Sequence, residues 1–370
     1  MTPSTYSDSF LADMEPALGD DYRSWLAFCR ESALGAVDRI GTKGFIERAL
    51  GLELPEAAYR SLRASWFEPY RSYHERGGKL LRPYLVCFCL KAYGKDPRDF
   101  ANVVAVAEII HSASLVLDDI IDDSVLRRGG PTMHRRVGVR VAGTAASAWL
   151  NIAFELLEEA PATLPEQATR ALVEAIAWEH WVTGLGTTVD VSWPWLRSYD
   201  RSPGEYLQSV LHRSTSLTYR LPLKLGAIAA GASGSEVEMF AALGEELGLS
   251  FQIIDDILNV TPDDPHWGKQ VAEDLTQGKV TLQVLLALDR SDRADRDRLI
   301  EVLEARTADP AQLQEAVDIL AQSGAFDAAR RMAAVHVERT KQIVERMTFL
   351  PDIDRNHLRG FVEYVVKRSR

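Results

Sequence analysis

Apolar positions along the chain recur about every 3.6 residues, which is the period of an α-helix. The stretches with this pattern are 100–118, 141–158, 168–185, 236–259 and 325–347. The alternating pattern of strands is rare. Residues 100–117 are apolar almost all round, which is typical of a helix in the middle of a bundle. The pattern therefore predicts an all-α protein, built as one large bundle of mostly antiparallel helices.

Loops rich in Pro, Gly, Ser and Asp separate these helices. They fall at 161–165, 192–204, 261–267 and 308–310, and no low-complexity linker divides the chain. We predict one all-α domain over residues 41–370, preceded by a peripheral N-terminal segment, residues 1–40. The loop 262–268 is interpreted either as a lid or as a plain solvated connection.

Four carboxylates lie within six residues at the end of the most apolar helix, from Asp118 to Asp123. On a helix, Asp118 and Asp122 share one face, and their oxygens suit a hard divalent cation such as Mg2+. A solvated acidic helix end is the alternative interpretation. A weaker copy follows downstream, where Asp255, Asp256 and Asn259 again end an apolar stretch. We expect the two clusters to face each other.

Two basic segments accompany the acidic clusters. Arg127 and Arg128 precede Gly-Gly-Pro, which we expect to end the helix and to expose both guanidinium groups. Upstream, Gly77-Gly78 precedes a predicted helix start that places Lys79 and Arg82 on one face. Guanidinium groups and a helix N-terminus with two cations both favour diphosphate binding.

In these motifs the chain resembles the trans-isoprenyl diphosphate synthases, the polyprenyl synthetase family that makes geranyl, farnesyl and geranylgeranyl diphosphates. The resemblance is carried by residues 117–129, by residues 251–259, and by the Gly-Lys pairs 268–269 and 278–279. It implies the isoprenoid synthase fold, in which helices surround a central cavity, and a homodimer formed through long helices.

The resemblance also implies a role for each matching residue. Mg2+, with three ions bound, would be held by Asp118, Asp119, Asp122 and Asp255, supported by Asp256 and Asn259. The allylic diphosphate would be contacted by Arg127 and Lys269, with Thr215 and Gln252 in the same catalytic group. The diphosphate of isopentenyl diphosphate would be held by Lys79, Arg82, His111 and Arg128.

These roles imply Mg2+-dependent condensation of an allylic diphosphate with isopentenyl diphosphate. Metal ions and arginines stabilise the charge that develops on the departing diphosphate. In the family, bulky residues four or five positions before the first aspartate limit chain length. Ala113 and Ser114 occupy those positions and are small, so we expect a product of about four isoprene units (C20). A deeper residue such as Ile110, or the helix containing Trp149, is the alternative limit.

The chain departs from the family pattern on the allylic side. Ser214 stands where a lysine is expected, Thr187 replaces a glutamine, and Asn259 replaces an aspartate. Arg213 replaces the missing cation only if the backbone rotates it inward. Asn151-Ile152 also stands where many members carry Gly-Asp.

These departures leave two alternatives open. One is a non-standard prenyltransferase or terpene cyclase that uses a preformed allylic diphosphate. The other is a weakly active regulatory subunit of a heteromeric synthase. Because a cyclase does not need Lys79, Arg82 and His111, their presence favours condensation.

Composition and charge indicate which kinds of partner and cellular location are expected. The net charge of −11 argues against a nucleic-acid partner. Residues 1–20 lack a signal-peptide pattern, and we expect no transmembrane segment, because no apolar stretch approaches the required length. A cytoplasmic protein is expected. The three cysteines, Cys29, Cys87 and Cys89, are interpreted as reduced. Trp178, Trp181, Trp193 and Trp195 are interpreted as core and interface residues.

Overall fold

The protein is described by a computed structural model over residues 22–158, 164–261 and 272–367. These residues are almost entirely helical, apart from one antiparallel ladder in which strand β1 (Leu126–Arg127) pairs with strand β2 (Gly130–Pro131). The prediction of an all-α protein is confirmed. The chain divides into two compact units. Unit 1 contains the described parts of Met1–Ala175 and Pro222–Val237, and unit 2 those of Ile176–Leu221 and Glu238–Arg370.

The first half of the chain forms eight helices in the described ranges. They are α1 (Tyr22–Ile40), α2 (Lys43–Leu50), α3 (Glu56–Leu62), α4 (Glu68–Glu75), α5 (Leu81–Ala92), α6 (Ala101–Ile121), α7 (Met133–Val137) and α8 (Val139–Glu158). A π-helical turn, Arg63–Phe67, joins α3 to α4, and a 3-10 turn, Pro97–Phe100, precedes α6.

The second half adds longer helices. They are α9 (Glu166–Trp195), α10 (Pro203–Val210), α11 (Leu221–Ala230), α12 (Gly234–Val260), α13 (Glu273–Thr276), α14 (Leu282–Arg290), α15 (Arg293–Ala305), α16 (Pro310–Gln322), α17 (Ala325–Arg346) and α18 (Asp352–Lys367). A π-helical segment, Leu211–Arg220, joins α10 to α11. Each of the five predicted helical stretches overlaps an observed helix, and the predicted loop at 308–310 is confirmed by the start of α16 at Pro310.

Helix α6 is the centre of unit 1. It packs against α8, α1 and α5, and its apolar side chains from Val103 to Val116 are buried on most sides. This arrangement follows from the all-round apolar pattern, because only a surrounded helix removes every face from water.

Helix α6, together with the 3-10 turn before it, is long and apolar enough to span a membrane. Residues Pro97–Ile121 have a mean hydropathy of 1.8 over the most apolar window, and 67% of that window is buried within the protein. The expectation that no apolar stretch approaches this length is therefore wrong. Such burial is typical of a core helix, and the lack of a transmembrane segment stays a prediction.

The predicted peripheral segment is only partly described. Its residues 22–40 form α1, in which Cys29, Val37 and Ile40 are fully buried. This helix packs against α6 in unit 1. The division of the chain at residue 40 stays a prediction.

Candidate functional site

The first acidic cluster lies at the C-terminal end of α6. Helix α6 ends at Ile121, but the Asp122 N–H still donates to the Asp118 carbonyl oxygen at 2.8 Å. One further helical turn therefore places Asp118 and Asp122 on the same face, as the spacing predicts. Both are half-buried. Asp123 has a φ of 50°, leaves the helix and forms an ion pair with Arg135 at 2.7 Å.

Asp119 has a different environment from its neighbours, because its side chain is completely buried. Its Oδ1 accepts a hydrogen bond from Arg127 Nε at 2.8 Å, and its Oδ2 accepts one from the Tyr73 hydroxyl at 3.2 Å. Burial raises the pKa of Asp119, while Arg127 and the Tyr73 hydrogen bond act in the opposite direction. With both oxygens engaged, Asp119 is suited to holding Arg127. Binding of Mg2+ by Asp118, Asp119 and Asp122 stays a prediction.

The two arginines belong to a tight hairpin. Arg127 pairs with Gly130 across the ladder, and the intervening Arg128 and Gly129 both have positive φ, of 51° and 70°. Positive φ at both central residues is the requirement of a type I′ turn. The expectation that Gly-Gly-Pro exposes both guanidinium groups is wrong, because the hairpin turns them toward buried carboxylates. Their side chains are only 19% and 13% exposed.

Arg128 is held by a residue that the sequence analysis missed. Its Nη2 donates to Glu108 Oε1 at 3.2 Å, and its guanidinium carbon lies 5.2 Å from the centre of the Tyr73 ring. Glu108 is buried on α6 and also accepts a hydrogen bond from the Ser112 hydroxyl at 3.1 Å. An isolated acid within an otherwise apolar helix is the signal that identifies Glu108, because a buried carboxylate requires a partner.

The Gly-Gly-Lys segment contacts Arg128 directly. A Cβ atom on Gly78 would lie 2.9 Å from the guanidinium carbon of Arg128, so a larger residue at this position would displace the guanidinium. Helix α5 begins at Leu81, after Leu80 in the left-handed conformation (φ 47°). The prediction that Lys79 shares a helix face with Arg82 is therefore wrong, because Lys79 precedes the helix. Arg82 lies in its first turn, at a helix N-terminus that favours an anion.

Two histidines lie near these arginines. Burial, followed by the charges of Arg82 and Arg128, lowers the pKa of His111 well below its usual value. His111 is thus neutral at pH 7. The sequence analysis missed His74, for which burial and the charge of Arg128 lower the pKa to about 3.

The residues predicted to face the prenyl tail lie on α6. Ala113 is fully buried, and the half-buried Ser114 donates from its hydroxyl to the Ile110 carbonyl oxygen at 2.9 Å. One turn earlier, the hydroxyl of Tyr70 donates to the Ile109 carbonyl oxygen at 2.6 Å. Tyr70 is the first of three stacked aromatic rings, followed by Trp149 at 4.1 Å and Trp66 at a further 4.7 Å.

The second acidic cluster lies in unit 2, near the end of α12. Asp256 is buried, and its two oxygens accept hydrogen bonds from the Tyr206 hydroxyl and from Gln252 Nε2, both at 2.6 Å. Burial, followed by the charge of Asp274, raises the pKa of Asp256 to about 7. Asp255 is half-buried. Its position opposite the first cluster stays a prediction.

The remaining unit 2 residues have distinct roles. The side-chain oxygen of Asn259 accepts a hydrogen bond from the Asp274 N–H at 3.0 Å, so this amide holds the start of α13. Asp274 forms an ion pair with Lys279 at 3.3 Å. Thr215 is completely buried within the π-helical segment. Lys269 and the candidate lid 262–268 lie outside the described residues.

The chemistry of these side chains fits Mg2+. Asp118 and Asp122 present carboxylate oxygens one helical turn apart, and Mg2+ in phosphoryl sites commonly uses one or two carboxylates together with substrate phosphates and water. Within the described ranges, no group of three or more His, Cys, Asp or Glu side chains is arranged to hold a metal by itself. This is compatible with a site in which the substrate supplies part of the coordination.

Comparisons with known proteins identify the family. The polyprenyl synthetase family profile matches residues 64–320. The chain is 33% identical over 295 residues to the short chain isoprenyl diphosphate synthase of Methanothermobacter thermautotrophicus, with 79% of this chain and 87% of the relative covered.

Two solved structures are also similar. Geranylgeranyl pyrophosphate synthetase from Pyrococcus horikoshii has a TM-score of 0.77 and 27% identity, with 94% of this chain and 100% of that chain covered. Polyprenyl synthase from Caulobacter crescentus, complexed with calcium and isoprenyl diphosphate, has a TM-score of 0.73 and 26% identity, with 94% and 98% covered.

Replacement of Glu108 by Gln tests whether this carboxylate positions Arg128. We expect Glu108→Gln to weaken the binding of isopentenyl diphosphate about tenfold or more, because it removes the charge that orients the guanidinium. Isothermal titration calorimetry measures this. Glu179→Gln is the matched control, since Glu179 is another buried acid paired with an arginine, Arg220. An equal loss in both variants would contradict the assignment.

Proposed function

The chain belongs to the polyprenyl synthetase family, and on this basis we propose that it condenses an allylic diphosphate with isopentenyl diphosphate. The enzyme is a trans-prenyltransferase, an isoprenyl diphosphate synthase, and its fold is the all-α isoprenoid synthase fold. The product of the reaction is a longer trans-polyprenyl diphosphate. The single observation that supports condensation most directly is the cluster of cations in unit 1.

In this cluster, side-chain cations are suited to bind a diphosphate without the help of a metal ion. Arg128 lies against Gly78, and the pKa of His111 responds to burial and then to the charges of Arg82 and Arg128. Lys79 precedes α5, whose N-terminus adds a partial positive charge. An enzyme that only ionises an allylic diphosphate has no need of this second group of cations.

Arg127 and the first acidic cluster, also in unit 1, are suited to stabilise the diphosphate leaving group. Arg127 is kept ionised, because Asp119 outweighs the effect of burial and raises the pKa of the guanidinium. When bound, Mg2+ supplies Lewis-acid stabilisation of the charge that develops on diphosphate. We propose that Asp118 and Asp122 are among the residues that hold it, and that three ions are used, as the family resemblance implies.

We further propose a product near C20. Ala113 and Ser114 have small side chains, and the aromatic stack of Tyr70, Trp149 and Trp66 lies against α6 about one turn further from Asp118. This stack is suited to limit the growing chain. The P. horikoshii relative, a geranylgeranyl pyrophosphate synthetase, supports a product of this size.

We propose that the enzyme works in the cytoplasm as a homodimer. Within unit 2, α9 exposes an apolar stripe of four residues at helical spacing, Trp178, Trp181, Leu185 and Val189, each at least 43% exposed. Of the four tryptophans predicted to be core and interface residues, Trp193 is buried, whereas Trp178, Trp181 and Trp195 are exposed. Their packing at an interface stays a prediction. A stripe of this kind is suited to a two-fold contact between identical helices.

Turnover by the purified chain tests the proposed reaction. With Mg2+, isopentenyl diphosphate and geranyl or farnesyl diphosphate, we expect a C20 diphosphate, identified by mass spectrometry. Asp118→Asn should lower turnover on the order of a thousandfold, because it removes a carboxylate ligand. Asp123→Asn is the control, since Asp123 is exposed and paired with Arg135.

Two other outcomes would contradict the proposed condensation and identify an alternative function. A hydrocarbon or alcohol formed from the allylic diphosphate alone would identify a cyclase or a non-standard transferase. Activity that appears only with a second subunit would identify a regulatory partner.

Substitution of Ser114 tests the limit on chain length. Ser114→Phe should shorten the main product by at least one isoprene unit, because the ring fills space beside α6. Ser114→Ala is the matched control, since it removes the hydroxyl without adding volume. Product lengths are measured by mass spectrometry. An unchanged distribution in Ser114→Phe would place the limit elsewhere.

Charged substitutions in the stripe test the homodimer. The double variant Trp178→Glu, Trp181→Glu should be monomeric, because burying two carboxylates at the contact costs more than the contact gains. Light scattering coupled to size-exclusion chromatography gives the mass in solution. Leu52→Glu, at an exposed apolar residue of unit 1, should remain dimeric. A dimeric stripe variant or a monomeric wild type would contradict the proposal.

A further inference from the structure

The hairpin that carries Arg127 and Arg128 is too short to hold its shape alone. Each strand contributes two residues, and the tip contains two successive glycines, Gly129 and Gly130. A two-stranded hairpin is at best marginally stable by itself, and glycine adds conformational freedom. The base is closed where the Thr132 N–H donates to the Val125 carbonyl oxygen at 3.1 Å. The strands beyond this base need support from another part of unit 1.

Arg76 supplies this support from the end of α4. Its Nη1 donates to the Pro131 carbonyl oxygen at 2.8 Å and to the Arg127 carbonyl oxygen at 3.3 Å, so one guanidinium group bridges both strands. A Cβ atom on Gly130 would lie 2.7 Å from the guanidinium carbon of Arg76, so this group packs directly on the backbone of β2. The contact mirrors the packing of Arg128 against Gly78, and the two segments hold each other at two points.

The helix that precedes Arg76 is itself fixed to α6. Arg76 directly follows α4, which contains the buried residues Tyr70 and Tyr73. The Tyr70 hydroxyl donates to the Ile109 carbonyl oxygen at 2.6 Å, and the Tyr73 hydroxyl donates to Asp119 Oδ2 at 3.2 Å. Arg76 therefore connects the hairpin to an element that is anchored to the central helix.

Hydrogen bonds account for the position of Arg76 better than charge does. Burial, followed by the charge of Arg136, lowers the pKa of Arg76, and Arg128 acts in the same direction. Its strongest charged neighbour is thus another cation, which repels it. The bonds to two carbonyl oxygens of the hairpin hold the guanidinium group against this repulsion.

We propose that Arg76 is a positioning residue that holds the hairpin so that Arg128 faces the diphosphate of isopentenyl diphosphate. This rests on the proposed function. Arg76 acts through the hairpin and does not need to touch the substrate. Its planar guanidinium group is required, because it must lie on Gly130 and reach a carbonyl oxygen of each strand.

Binding of isopentenyl diphosphate without Mg2+ tests this proposal by calorimetry. Arg76→Ala should weaken binding about tenfold or more, because the loss of two hydrogen bonds releases the hairpin. Arg76→Lys keeps the charge but loses the planar group, so binding should stay at least about fivefold weaker than in the wild type. Gly130→Ala displaces the guanidinium group of Arg76 without removing it and should also weaken binding. Full binding in Arg76→Ala or Arg76→Lys would overturn the proposal.

A double variant separates positioning from direct binding and from a general loss of stability. Arg76→Ala in the Arg128→Ala background should weaken binding by less than about twofold more, because the group that Arg76 positions is already absent. Two losses that simply multiply would overturn the proposal. The melting temperature of every variant is measured, and binding is compared well below the lowest one.

Arg30→Ala is the matched control. Arg30 of α1 donates from Nη2 to the Glu75 carbonyl oxygen at 2.9 Å, which is the same kind of bond at the residue next to Arg76. Because this bond is exposed, its loss should leave binding within about twofold of the wild type. An equal loss in Arg30→Ala and Arg76→Ala would mean that any change at the end of α4 weakens binding, and would overturn the specific role of Arg76.

The binding assay does not depend on turnover. If the wild type elongates no allylic substrate but Arg76→Ala loses isopentenyl diphosphate, the proposed reaction is wrong and the role of Arg76 stands. If the wild type elongates normally and Arg76→Ala binds as well as the wild type, the reaction stands and the role of Arg76 is wrong.

Discussion

The pairing of two neighbouring arginines with two buried carboxylates is the interaction on which the site in unit 1 depends. Arg127 contacts Asp119 and Arg128 contacts Glu108, and both acids lie on the central helix α6. A buried charge without a partner is costly, so neither acid is tolerated without its arginine. The hairpin that carries both arginines is thereby tied to α6, and the Gly78 segment is tied to the hairpin.

The same constraint explains why each acidic motif contains two adjacent aspartates. In both motifs the second aspartate is buried and accepts a hydrogen bond from a tyrosine hydroxyl: Tyr73 for Asp119, and Tyr206 for Asp256. The first aspartate, Asp118 or Asp255, is half-buried. The buried member is held by these hydrogen bonds, and the binding of Mg2+ by the other member stays a prediction. The two aspartates of each pair therefore differ in environment, although the sequence gives them the same residue type.

The sequence predicted the parts of this arrangement that depend on local spacing. The helices, the face shared by Asp118 and Asp122, and the family all follow from periodicity and motif order. The burial of Arg127 and Arg128 did not follow, because a two-residue hairpin turns them toward partners that are distant in sequence. The position of Lys79 depends on a left-handed Leu80, and that of Arg213 on a π-helical segment held by glycines from two other helices. Neither the left-handed Leu80 nor the π-helical segment produces a periodic pattern in the sequence.

The thermal unfolding of Asp119→Asn beside that of Asp118→Asn tests this difference between the paired aspartates most directly. Loss of the Asp119 charge leaves Arg127 buried without a counter-ion, so stability should fall on the order of 3 kcal/mol. Loss of the Asp118 charge should cost much less, because Asp118 is half-buried and Arg127 keeps its ion pair with Asp119. A destabilised Asp118→Asn together with an unaffected Asp119→Asn would contradict the account.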